Sequence, residues 1–375
     1  RTRLPSQGRM GQTVSPQFTP VERKIRFDPH WRGVNIAVTV AMLLYSAAPA
    51  LACSFLGHPA DFRIDLYLAP FYVSYMVYGA IIGSTVLVRH VLGRTDKHLL
   101  WFTRTWPVNE FASRLISALP FLLMWPIFMS GFTSIKNLLN DTVPFGWDHE
   151  LATIGVVLHF GKPLWQWLWI DSPPVTRALE FIYAFWGVLL VAVPFSVCLR
   201  HPHCPKRARF LVSFLLVMVL MGNVMAGMFM SAGPFWLQFS DHHHDGYRKL
   251  FEYLQRADGN GAFSAVTYQH YLWLAHQHRS GTWFGTGISA FPSIHVAIAA
   301  LYVMFGWQFG RLARIGSVLF LVSIMIGSVH LGWHYAFDGY AGMVGAAAIY
   351  YGVGRLQRRY GSAARKPLTA PTLSA

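Results

Sequence analysis

The sequence predicts an all-α integral membrane protein of about eight transmembrane helices, with both termini in the cytoplasm. Three observations carry that prediction: a charge-poor apolar composition, eight apolar runs of spanning length, and a one-sided distribution of basic residues. The chain is 54% apolar and 15% aromatic, and only 13% of its 375 residues are charged. Apolar runs this long with so few charges leave no polar surface for water to wet, so the chain belongs in lipid.

A helix needs about 20 apolar residues to cross roughly 30 Å of hydrocarbon. Such runs fall at about 33–55, 66–88, 112–135, 178–199, 210–236, 292–310, 315–333 and 336–354. An even number of spans returns the chain to its starting side. With the N-terminus inside, the 31 Lys and Arg all fall on the inner side except Arg63, Lys136, Lys162, Arg177, Arg248, Lys249, Arg256 and Arg279. Those exceptions are spread over longer loops, and the bias orients the bundle. The net charge of +15 would point to nucleic acid in a soluble chain. Here the inner loops account for it, and no nucleic-acid partner is expected. The first 32 residues lack a short apolar run ending in small residues, so no cleavable signal is read and the first span acts as an anchor.

This organisation divides the chain into a basic cytoplasmic segment (1–32), two accessory spans with a cytoplasmic loop (33–110), a catalytic membrane unit (111–356) and a basic tail (357–375). Two outer segments, about 136–177 and 237–291, are far longer than ordinary connections. The first carries Trp147, Trp165, Trp167 and Trp169 among Phe145, Leu158 and Phe160. Tryptophan favours the headgroup level, so this segment is expected to lie on the bilayer and help admit a lipid, or simply to cap the bundle. The second is read as short helices around Tyr247–Arg256 and Ser264–Gln277.

Two short polar motifs stand out: FPSIH at 291–295 and HYAFD at 334–338, each opening an apolar run at its outer end. Pro292 is expected in the first helical turn, where unpaired amides and the helix dipole favour a phosphate. Ser293 adds a donor and His295 faces the same mouth. If a helix begins at Trp333, His334 and Asp338 are spaced i, i+4 on one face. A carboxylate on one imidazole nitrogen fixes the tautomer and sharpens the other as a nucleophile. Asp338 is also one of only two acids inside the predicted spans, with Glu180 near the start of the fourth, and a carboxylate at membrane depth is functional by default.

Together these motifs resemble the type 2 phosphatidic acid phosphatase (PAP2) superfamily, whose pattern is Lys-x6-Arg-Pro, Pro-Ser-x-His and Ser-Arg-x5-His-x3-Asp. The resemblance covers the last five or six spans and implies a six-helix catalytic core. Pro292, Ser293, Ile294 and His295 match the second block, and His334 and Asp338 match the third. Gly327 and Ser328 replace its Ser-Arg pair, and Lys136–Pro144 matches the first block with Val143 in the arginine position. Both phosphate-gripping arginines are therefore replaced, and a guanidinium fork has no simple substitute. That departure is similar to the branch containing inositol phosphorylceramide synthases. Ser231–Pro234 is similar to a Ser-Ala-Gly-Pro element on the preceding helix in that branch, and Phe145–Asp148 to its aromatic-Gly-Trp-Asp element.

The resemblance implies that His334 attacks phosphorus, Asp338 orients it and His295 protonates the departing alkoxide. Ser293, Lys136 and backbone amides near residue 293 would hold the phosphate oxygens. Arg248 could supply charge that the replaced arginines do not, or be an ordinary loop residue. The expected substrate is a lipid phosphate or phosphodiester among membrane lipids, with water or an alcohol such as inositol or a sphingoid lipid as acceptor. No cofactor and no metal are expected. Asp241, His242, His243, His244 and Asp245 have ligand side chains, but neighbours in a loop rarely converge on one ion. A bacterial inner membrane with the site facing outward is the expected location. The competing classes are a lipid-binding protein or transporter that kept the fold, and a metal-dependent hydrolase.

Overall fold

The computed structural model describes residues 29–56, 63–92, 108–200, 204–239, 245–259, 261, 263–278 and 283–363. The predicted N-terminal segment through residue 28, the histidine-rich stretch 241–244 and the tail from 364 lie outside them. The described residues form an all-α membrane protein, and five of their helices are long and apolar enough to cross a bilayer.

In chain order the helices are α1 (Pro29–Phe55), α2 (Leu68–Leu92), α3 (Val108–Thr142), α4 (Asp148–Leu158), α5 (Leu164–Trp167), α6 (Pro173–Cys198), α7 (Pro205–Leu216) and α8 (Ala226–Met228). They continue with α9 (Asp245–Ala257), α10 (Ala265–His278), α11 (Ile294–Gly306), α12 (Arg311–His330) and α13 (Ala336–Ala363). A π-helical stretch, Val217–Met225, joins α7 to α8. Each apolar run read from the sequence overlaps a helix, and the two outer-loop helices appear as α9 and α10.

The helix at the centre of the bundle is α11, only 13 residues long. Val296, Ala297, Ile298, Ala299 and Leu301 of α11 are fully buried, which places protein on every side of it. It packs chiefly on α13 and α12. Its 13 residues rise about 20 Å, less than the hydrocarbon thickness. The run 292–310 overstates it because Ser293 caps its start and Trp307 ends it. Close approach to α13 depends on Gly342, where an added Cβ would lie 2.6 Å from the Ser293 carbonyl oxygen. Gly342→Ala should therefore cost about 1–3 kcal/mol of stability through overpacking. Thermal unfolding in detergent checks this, and a melting curve equal to that of the natural chain would remove the argument.

Two boundaries differ from expectation, each for a local reason. The third span continues past 135 to Thr142, so Lys136 sits on a helix rather than in a loop. It stops where Val143 precedes Pro144 and is steered out of helical geometry. The fifth run ends at Met228, which leaves Ser231–Gly233 in an extended turn. Gly233 has φ +85° there, and a Cβ would lie 2.5 Å from the Trp333 carbonyl oxygen, so only glycine fits. The segment 136–177 is α3's last turns, two short helices and the start of α6. Phe160 (91% exposed), Val157, Leu158, Trp167 and Trp169 face outward from it, while Trp165 is buried against α9.

Basic side chains tie loops together at the end of the bundle away from the two motifs. Arg114 reaches the Leu199 carbonyl at 3.3 Å, Arg314 reaches the Trp307 carbonyl at 2.8 Å, and Arg209 lies 3.7 Å above the Tyr350 ring. On α3 alone, Arg114 and Lys136 are separated by about 33 Å at 1.5 Å per residue. That is close to one hydrocarbon thickness.

Candidate active site

Asp338 joins the two polar motifs through both its backbone and its side chain. Its carbonyl accepts the Ser293 N–H at 3.0 Å, and its Oδ2 accepts the Tyr335 N–H at 3.0 Å. The same Oδ2 lies 3.5 Å from His334 Nδ1, with the two side chains 0% and 8% exposed. That distance is just beyond a hydrogen bond. His334 Nδ1 has no other hydrogen-bond partner among the described residues, so a small closure would complete the pair. Such contacts commonly tighten only when substrate is present.

The pair does not arise as predicted. α12 ends at His330 and α13 begins at Ala336, which leaves His334 in the turn between them. The turn is fixed from behind, because the Ser328 carbonyl accepts the N–H groups of both Trp333 and His334 at 3.0 Å. Asp338 falls in the first turn of α13, where the helix dipole favours its negative charge. His330, four residues before His334, bonds Thr176 at 3.0 Å in a separate cluster with Tyr253. Among the described residues, no three His, Cys, Asp or Glu side chains form a group able to hold a metal ion.

The FPSIH motif is also shifted by one step. Ser293 is the N-cap of α11 and accepts the Val296 N–H at 3.4 Å, so Pro292 lies before the helix and not in its first turn. Asp338 already takes the Ser293 amide. The amides left at the mouth of the helix are therefore those of Ile294 and His295. The His295 ring centroid is 6.0 Å from that of His334. Tyr183 stacks on His295 at 4.5 Å and Trp186 leans on it at 4.2 Å, both from α6.

Lys136 belongs to this group. Gly287, at φ +93°, presses the loop before FPSIH against α3, and a Cβ there would lie 2.4 Å from Lys136 Cβ. Asn137 holds the same loop through Thr286 at 3.0 Å. The Lys136 ammonium lies 5.8 Å from the Phe132 ring and within electrostatic reach of His295. Arg248 is placed differently. Its side chain is 70% exposed on α9 and faces Glu252 at 3.8 Å.

A second carboxylate organises the floor of the site. Asp148 Oδ1 accepts the Ser231 hydroxyl at 2.9 Å, the Gly233 N–H at 2.8 Å and the Tyr335 hydroxyl at 3.2 Å, and its Oδ2 accepts the Ala232 N–H at 2.9 Å. The amides of Gly146 and Trp147 both bond the Met230 carbonyl at 3.1 Å. Phe145–Asp148 and Ser231–Gly233 are thus two halves of one clasp, which grips the turn carrying His334 through Tyr335. Burial first, then the Asp148 carboxylate, raises the Tyr335 phenol well above its ordinary range, so it remains a donor. The sequence held both halves as short motifs but gave no sign that they meet.

The geometry is a buried His-Asp pair facing a second histidine, beside a lysine and a capped helix mouth. A family model described as PAP2 superfamily matches residues 149–352, more than half of the chain. The chain belongs to the PAP2 superfamily. Membership suggests phosphatase-type phosphoryl transfer. No curated protein and no solved structure matches the chain. The match lies inside the predicted catalytic unit of 111–356, although α3, which brings Lys136, precedes it.

Proposed function

We propose that the protein transfers phosphoryl groups from a lipid phosphate or phosphodiester at the extracytoplasmic face of a membrane, through a phosphohistidine on His334. The observation that carries this reading is Asp338, which joins Ser293 through its carbonyl and faces His334 Nδ1 with its carboxylate. With Nδ1 directed at Asp338, Nε2 is the nitrogen that attacks phosphorus. The P–O bond to the leaving alkoxide breaks as the P–N bond forms, and a protonated His295 delivers its proton to that oxygen. In the second half His295 takes a proton back from water or an alcohol, whose oxygen displaces His334. Lys136, the Ser293 hydroxyl and the amides of Ile294 and His295 meet the charge that builds on the phosphoryl oxygens.

The finer branch follows from what replaces the arginines. Val143 and Ser328 cannot fork onto phosphate, and the Asp148 clasp unites the two elements that resemble those of inositol phosphorylceramide synthases. This supports a phosphotransferase of that kind, with a phosphatase as the outcome when water is the acceptor. The basic residues at the opposite end support an outward-facing site, and a bacterial inner membrane remains the location proposed. The exposed aromatic surface around Phe160 and Trp167 suits a layer at headgroup level through which a lipid enters.

Purified protein incubated with labelled phospholipids, with and without inositol or ceramide, tests the reading by mass spectrometry of products. A headgroup-exchanged lipid is expected with acceptor, and without it free phosphate from a lipid phosphate monoester or a phosphate monoester from a phosphodiester; unchanged lipid in every mixture would end the proposal. Turnover should be the same with and without chelator. Loss in chelator with recovery in zinc would favour a metal-dependent hydrolase instead.

A further inference from the structure

Tyr183 is a partly buried side chain to which neither the sequence motifs nor the proposed mechanism gives a role. It lies on α6, and its ring stacks on His295 at 4.5 Å and parallel to Trp333 at 6.2 Å, on the two segments that carry the reacting histidines. Its hydroxyl is within electrostatic reach of Asp338 and of Tyr268. Yet that hydroxyl is buried and has no hydrogen-bond partner among the described residues. A buried orphan hydroxyl is costly, and it is common where a ligand completes the bond.

The place Tyr183 occupies is informative. Gly327 and Ser328 stand where the superfamily pattern has Ser-Arg. A Cβ on Gly327 would meet Tyr183 Cδ2 at 3.4 Å, so the ring lies directly against that position. The Ser328 hydroxyl turns away, donating to the Met325 carbonyl at 2.8 Å. The phenol therefore lines the wall at Gly327, next to the position that would carry the guanidinium.

We propose that Tyr183 is a phosphate-binding residue whose hydroxyl donates a hydrogen bond to a non-bridging oxygen of the phosphoryl group held between His334 and His295. This rests on the phosphoryl-transfer reading above and adds a contact to the same site. The phenol supplies one neutral donor where an arginine would supply a charged fork, so it grips the anion without adding positive charge beside His295.

Tyr183→Phe tests this, because it removes one oxygen and keeps the ring that stacks on His295. Full-length protein in detergent would be titrated with inorganic phosphate, and the same preparations assayed for kcat/KM on the phospholipid substrate. Hydrogen bonds to charged groups translate into about tenfold or more in affinity. The variant should therefore bind phosphate about tenfold more weakly and lose a similar factor in kcat/KM, with an unchanged melting curve without ligand. Phosphate affinity and kcat/KM equal to those of the natural chain would overturn the role of Tyr183 and leave the phosphoryl-transfer reading standing. Natural protein that neither binds phosphate nor turns over any phospholipid would overturn both.

Discussion

His334→Ala should abolish phosphoryl transfer, lowering kcat by about 10³-fold or more, because the variant has no nitrogen to accept the phosphoryl group. The geometry makes this a sharp test. The His334 backbone N–H is held by Ser328, and among the described residues its side chain faces Asp338 at 3.5 Å. Removing the imidazole therefore leaves the turn anchored by its backbone. Asp338→Asn should follow with a loss of about 10²–10⁴-fold, since the amide keeps the backbone link to Ser293 but cannot stabilise an imidazolium. Phosphate release and headgroup transfer on the phospholipid substrate are the measurements. Either reaction at the natural rate in His334→Ala would show that the nucleophile lies elsewhere.

The second large effect is expected at a residue outside the reaction. Asp148→Ala deletes an acceptor shared by Ser231, Ala232, Gly233 and Tyr335, leaving four donors unpaired in a partly buried site. Bonds to a charged group contribute about 1.5–3 kcal/mol each, and losses around one carboxylate do not add fully. A destabilisation of about 3–5 kcal/mol is expected, seen as a lower melting temperature in detergent. Tyr335→Phe removes only one of those bonds and should cost about 1.5 kcal/mol. The order Asp148→Ala, then Tyr335→Phe, then natural chain is the signature of a clasp. Equal melting of Asp148→Ala and the natural chain would contradict it.

Activity should fall along the same order, because the clasp positions the turn that carries His334. Asp148 acts through Tyr335 and Gly233 rather than on phosphorus. Its substitution should therefore leave the identity of the products unchanged while lowering the rate.

The apolar runs made the membrane helices legible, because hydropathy over about 20 residues is a local property. The pairing of FPSIH with HYAFD was legible too, since each motif is short and both open runs on one side. The hidden parts depend on contacts between distant segments. Nothing near Asp148 announces Tyr335, 187 residues away, and nothing near Tyr183 announces His295. Lys136 looked like a loop residue because hydropathy falls at 136, although the backbone stays helical to Thr142. His334 looked helical for the opposite reason, as its spacing from Asp338 suits a helix that in fact starts at Ala336. A turn leading into a first helical turn places the same two side chains together, so their juxtaposition was legible although the local geometry was not.

The measurement that bears most directly on the central proposal is capture of the covalent intermediate. Natural protein turning over a phospholipid carrying radiolabelled phosphate would be quenched in alkali, where phosphohistidine survives, then digested and mapped. The account predicts an acid-labile phosphoryl group on the peptide containing His334, absent from His334→Ala. Label on another residue, or turnover with no protein-bound phosphate at any quench time, would contradict it.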